Sequence, residues 1–88
     1  MDLVLAKSKA GHDKNQVYVI TAEKDDCFFL VNGTTRTLDK PKRKKKIHLQ
    51  LIKKIPDNVI EIANESNQFS DLSIKRILKE FNRRLENV

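Results

Sequence analysis

Lys40, Lys42, Arg43, Lys44, Lys45 and Lys46 place six cations in seven consecutive positions, with Pro41 the one interruption. So dense a run repels itself, and the repulsion is relieved when phosphates arrive and condensed counterions are released. Lysine is a flexible point charge suited to positioning a phosphate, whereas Arg36 and Arg43 can form bidentate contacts or stack on a base. The chemistry suggested is therefore anion binding, with nucleic-acid phosphate as the anion. A solvated loop or, in a eukaryote, a nuclear-localisation signal would look the same in composition; the position of the run inside a compact strand pattern, rather than on a tail, favours phosphate.

Other reactive side chains are few. His12, Cys27 and His48 have no metal-ligand spacing. Asp25-Asp26 is the one adjacent carboxylate pair, and its place between two strand-like runs makes it a solvated turn. Gly11 and Gly33 are the only glycines, so no glycine-rich phosphate loop is present. We expect no catalytic residues, no metal, no cofactor and no small-molecule substrate, and hence no enzyme. Tyr18, Phe28, Phe29, Phe69 and Phe81 could stack on bases or on a partner, but within apolar runs they read as core. His48 opens a strand and reads as structural.

The chain that must position these cations is short. Eighty-eight residues make one small domain, in which folding buries somewhat over ~60% of the unfolded surface. The net charge is +6, and it is uneven: thirteen basic against six acidic residues through Lys54 give +7, whereas five against six from Ile55 to Val88 give −1. A contact half and a supporting half are implied. A lone cysteine cannot staple the fold, and the apolar stretch Leu3–Ala6 is too short for a signal peptide or a membrane span. A cytoplasmic location without membrane contact is expected.

The N-terminal half reads as strands. Leu3–Lys9 places Lys7 and Lys9 on one face. Ala10–Asn15 follows as a turn, with Gly11 and Asn15 able to take positive φ. Gln16–Ala22 is a β-branched and aromatic strand, and Asp25-Asp26 turns the chain again. Between Cys27–Val31 and Thr34–Leu38 the pair Asn32-Gly33 predicts a two-residue type I′ hairpin, pairing Val31 with Thr34 and Phe29 with Arg36. The first arm does not alternate, so both its faces should be covered. Ile47–Ile52 alternates, placing Ile47, Leu49 and Leu51 on one face of a fifth strand. Ser70 can cap a helix carrying Ile74, Ile77, Leu78, Phe81 and Leu85 at three- and four-residue spacing, with Lys75, Lys79, Arg83 and Arg84 elsewhere around it. The fold expected is mainly β: a small five-stranded barrel over residues 1–54, an acidic, Asn-rich connecting segment over 55–69, and an amphipathic helix over 70–88 packed on the barrel.

The stretch Val4-Leu5-Ala6-Lys7-Ser8-Lys9-Ala10-Gly11-His12-Asp13-Lys14-Asn15-Gln16-Val17 resembles a KOW motif. With Pro41-Lys42-Arg43-Lys44-Lys45-Lys46-Ile47-His48-Leu49, it is similar to short bacterial KOW-domain RNA-binding proteins, themselves similar to KOW-containing large-subunit ribosomal proteins of archaea and eukaryotes. The likeness covers roughly residues 2–53, and it departs from the motif at Asn15, where KOW sequences carry their most characteristic glycine. Asn tolerates left-handed backbone best among the other residues. The resemblance implies an SH3-like barrel and RNA contacts from Lys7, Lys9, His12 and Lys14, with the Lys40 to Lys46 segment beside them.

Two function classes follow. One is an RNA-binding module attached to ribosomal RNA or acting in translation, near ribosomal proteins, which holds structured RNA by its backbone and shape with modest sequence specificity. The other is a protein-interaction adaptor, since SH3-like barrels also bind peptides, and the helical face with Ile74, Ile77, Leu78 and Phe81 could serve a partner. A DNA- or transcription-associated KOW module is a lesser variant, because phosphate contacts alone do not separate DNA from RNA and the basic half has no recognition-helix pattern. Basic clustering favours the first.

Overall fold

A computed structural model describes residues 3–65 and 68–86. Five strands, β1 (Leu5–Ser8), β2 (Val17–Lys24), β3 (Cys27–Val31), β4 (Lys42–Lys45) and β5 (Leu49–Ile52), form one antiparallel sheet in the order β4-β3-β2-β1-β5. A single 3₁₀ turn, Lys46–His48, joins β4 to β5, and two helices follow, α1 (Asp57–Ala63) and α2 (Asp71–Glu86).

The register explains why the three central strands do not alternate simply between apolar and polar. Leu5 lies opposite Val19 and Val19 opposite Val31, a row that faces the helices and packs with Val59, Ala63, Ile74, Ile77, Leu78 and Phe81. On the other face, Ala6 lies opposite Tyr18 and Ile20 opposite Leu30, and these gather with Leu49 and Phe28 into a second cluster. A strand covered on both faces loses the alternating pattern. The expectation for Cys27–Val31 holds in this form.

The second cluster sits in a concavity. In a flat sheet β4 and β1 would stand three strand spacings apart, roughly 14 Å. Yet Lys44 Nζ of β4 lies 2.7 Å from Ser8 Oγ of β1, and the three residues Lys46–His48 suffice to join edge strand β4 to edge strand β5. The sheet therefore curls over its non-helical face, helped by an irregularity in β2 between Ile20 and Ala22.

Both short turns of the basic half form as expected, with Gly11 at φ +88, Asn15 at φ 76 and Asp25 at φ 55. The Asn32-Gly33 hairpin does not. Gly33 has positive φ but Asn32 does not, so the type I′ requirement is unmet. Instead the Asn32 Oδ1 accepts from the backbone N–H groups of Thr34 and Arg36, at 3.0 and 2.9 Å, while Asn32 N–H and Gly33 N–H both donate to the Arg36 carbonyl. This closes residues 32–41 into a loop. The strand that pairs with β3 is β4, so Phe29 lies opposite Arg43, not Arg36, and Leu30 opposite Lys42. The loop is pinned to α2, where the Leu38 N–H donates to Asp71 Oδ1 at 2.8 Å.

Two further expectations need correction. Ile47 belongs to the 3₁₀ turn and is 72% exposed, so the fifth strand begins at Leu49; Leu49 is buried, but Leu51 is 46% exposed. The segment 55–69 contains α1, which follows Pro56 and buries Val59 and Ala63 against α2.

The C-terminal helix is as expected. Ser70 Oγ accepts from the Ser73 N–H at 3.1 Å and Ser73 Oγ from the Ser70 N–H at 2.9 Å, a reciprocal cap. Ile74, Ile77, Leu78 and Phe81 are buried in the helix-side core; the side chains of Arg84 and Leu85 lie outside the described residues. Phe81→Ala should lower unfolding stability by about 3–5 kcal/mol in urea titration. A loss under about 1 kcal/mol would mean that α2 is not part of the core.

Candidate functional site

Sequence reasoning treated Asp13 as an ordinary turn residue, but it organises the basic half. The β1–β2 loop turns its carboxylate inward, where Ser8 Oγ donates to Oδ1 and the Tyr18 hydroxyl to Oδ2, both at 2.9 Å. From β4, Lys42 Nζ reaches Oδ2 and Lys44 Nζ reaches Oδ1, both at 2.7 Å. Lys44 fills its remaining donor capacity on Ser8 Oγ and the Ala10 carbonyl, at 2.7 and 2.8 Å. Its side chain is 11% exposed and that of Lys42 27%. Burial alone would raise the Asp13 pKa, but donation from Lys42, Lys44, Ser8 and Tyr18 outweighs it and holds the carboxyl well below the usual range. Burial, reinforced by the Asp13 charge, pushes the Tyr18 hydroxyl up to about 12. The carboxylate stays ionised and the phenol stays a donor across the neutral range.

The six-cation run thus divides by the two-residue period of a strand. Lys42 and Lys44 turn into the concavity. Lys46, in the 3₁₀ turn, pairs with Glu23 and lies over the Phe28 ring, 4.9 Å from its centroid. Lys40, Arg43 and Lys45 are exposed and take part in no ion pair among the described residues. Three of the six are therefore engaged by the chain's own carboxylates, Lys42 and Lys44 inside the concavity and Lys46 at the surface, and three are outward charge.

The loop follows the same logic. His12 and Lys14 flank buried Asp13 and are exposed, as are Lys7 and Lys9 on the approach to the loop. Asp13 pointing in, with Lys42 and Lys44 meeting it, clamps the loop and β4 together; a Cβ added at Gly11 would stand 3.8 Å from Lys44 Nζ. The outward neighbours on the two segments are His12, Lys14, Arg43 and Lys45. Arg36 is exposed on the separate 32–41 loop, which docks on α2 rather than pairing in the sheet.

The sequence signal that could have exposed the clamp is the i, i+2 spacing of Lys42 and Lys44, together with Ser8, Asp13 and Tyr18 around one turn. Elsewhere, no cluster of three or more metal-competent side chains exists among the described residues, and no described helix is long and apolar enough to cross a membrane. The helical face considered for a partner is occupied by the protein's own core. Comparison with protein-family models and with curated proteins finds no match to this chain.

Proposed function

We propose that this domain binds structured RNA by its phosphates, through the exposed cations of the β1–β2 loop and the outward residues of β4, and that its curled sheet is an SH3-like barrel of KOW type acting on ribosomal or other translation-associated RNA. The observation that carries the reading is the Asp13 clamp. It holds two cation-bearing segments in fixed relation and leaves Lys9, His12, Lys14, Arg43 and Lys45 facing solvent. Cations pre-positioned on a rigid scaffold bind phosphate with little ordering cost. The KOW reading gains support at its one departure from the motif, because Asn15 adopts the left-handed conformation a glycine would take there.

The test is the salt dependence of affinity for a labelled RNA stem-loop. Lys42, Lys44 and Lys46 are unsuitable targets because each has an internal carboxylate partner. The triple change Lys9→Ala, Lys14→Ala and Lys45→Ala removes outward charge only. It should weaken binding to all RNA sequences alike and lower the slope of log K against log salt by roughly 0.7–0.9 for each phosphate no longer neutralised. A slope equal to that of the parent protein would remove this surface from the interface. Weaker binding to a DNA hairpin of the same sequence would separate RNA from the DNA-associated variant.

A further inference from the structure

A groove of about 970 Å³ opens on the helix-side face of the sheet, beside the C-terminal half of α2. Its wall is a register row across three strands, with Gln50 of β5 opposite Lys7 of β1 and Lys7 opposite Val17 of β2. Asn82 of α2 bounds the groove on the other side, and Lys53 and Lys54 line it just past β5. Asn15 also lines it, and so joins the groove to the β1–β2 loop.

Three features of this lining constrain the occupant. Lys7, Lys53 and Lys54 are exposed, and no carboxylate lines the groove among the described residues, so the occupant is anionic. The apolar part of the lining is formed by Val17, Leu51, Ile52, Pro56 and Phe81. Asn15, Gln50 and Asn82, each bearing a carboxamide that is both donor and acceptor, line the same space. The backbone of an acidic peptide would also engage carboxamides, and continuity with the β1–β2 loop through Asn15 is what favours a nucleic acid here. The edge of an unpaired base needs both donor and acceptor, which a carboxamide supplies in one plane.

We propose that this groove takes unpaired nucleotides of the bound RNA, with phosphates on Lys7, Lys53 and Lys54, bases on the apolar lining and base edges on the three carboxamides. The proposal rests on the RNA reading above and adds to it a preference for single-stranded elements next to a helix. RNA held by the loop continues into the groove past Asn15, so the two sites act on one molecule.

The test compares two labelled probes, a stem-loop with a long single-stranded loop and a blunt duplex of the same stem. Gln50 and Asn82 are exposed, so Gln50→Ala with Asn82→Ala should leave the fold intact, checked by circular dichroism. We expect roughly ten-fold weaker binding of the stem-loop and unchanged binding of the duplex. Lys53→Ala with Lys54→Ala should lower the salt slope for the stem-loop alone by roughly 1.4. Equal losses on both probes, or no loss on either, overturn the groove assignment while leaving the RNA reading in place. Failure of the parent protein to bind either probe sinks the RNA reading itself. If an acidic, apolar peptide occupies the groove without displacing RNA, its occupant is a protein and the proposal falls.

Discussion

Asp13→Asn should lower unfolding stability by about 3 kcal/mol, because it removes the charge facing two partly buried ammonium groups and turns an amide donor toward one of them. For a domain of this size that is a fall in melting temperature of roughly 12–24 °C. The effect has a defined pH dependence. The carboxyl is held below its ordinary range in the folded protein, so the unfolded chain takes up its proton first as pH falls. The stabilisation is complete above the unfolded value of about 3.9 and is lost below it. The gap between parent and variant should thus be full at neutral pH and should narrow below about pH 4, as followed by urea titrations across pH. A gap under about 1 kcal/mol at pH 7 would show that Lys42 and Lys44 find water in place of Asp13, and that the clamp does not hold the loop.

Gly33→Ala is the second large effect. A Cβ at this position would stand 2.4 Å from the Asp71 carbonyl oxygen and 3.0 Å from the Lys75 nitrogen, both backbone atoms of α2. The residue also has φ +81, where an alanine is strained by about 1–2 kcal/mol whatever its surroundings. With the added overlap, the expected loss is about 2–4 kcal/mol. Gly11→Ala is the natural control, since its φ is +88 but its nearest neighbours stand at 3.7 and 3.8 Å. It should show the backbone strain alone. Equal losses for the two variants in denaturant titration would mean that the 32–41 loop moves off α2 without penalty.

The parts of this fold legible in the sequence are those set by local chemistry. Dense β-branched residues mark β2, Gly11 and Asn15 mark a turn that needs positive φ, and Ser70 ahead of a regular apolar spacing marks α2. The parts that escaped are set by distant residues. β4 consists only of cations, and nothing in Lys42–Lys45 separates a strand from a solvated loop; its conformation comes from pairing with β3. Asp13 owes its burial to partners 29 and 31 residues away. Asn32-Gly33 carries the local signature of a hairpin, yet the side chain of Asn32 satisfies the backbone of its own loop and the loop leans on α2. The apolar residues Ile55, Val59, Ile62 and Ala63 keep a helical spacing that acidic and amide neighbours obscured, and α1 went unseen for that reason.

For the candidate site, the segments were legible and the direction of each side chain was not. Lys7, Lys9, His12, Lys14, Lys40, Arg43 and Lys45 are outward as a charge count would have them, whereas Lys42 and Lys44 are engaged by Asp13 and Lys46 by Glu23. A run of like charge cannot reveal which of its members has an internal partner until its strand register is known.

The position of β1 in the sheet bears on how the chain acquires its shape during synthesis. β1 leaves the ribosome first, but its two neighbours are β2 and β5, and Leu5 pairs with Ile52. The oldest strand therefore waits for the youngest. Contacts so far apart in sequence carry a large loop-closure entropy and slow the approach to the native state. A nascent chain halted before β5 would hold its first four strands, the lysine run of β4 among them, with one side of β1 open to pairing. Acquisition of the fold is expected to be late and abrupt, because the sheet waits for Leu49–Ile52 and the helix-side core for α2 behind it.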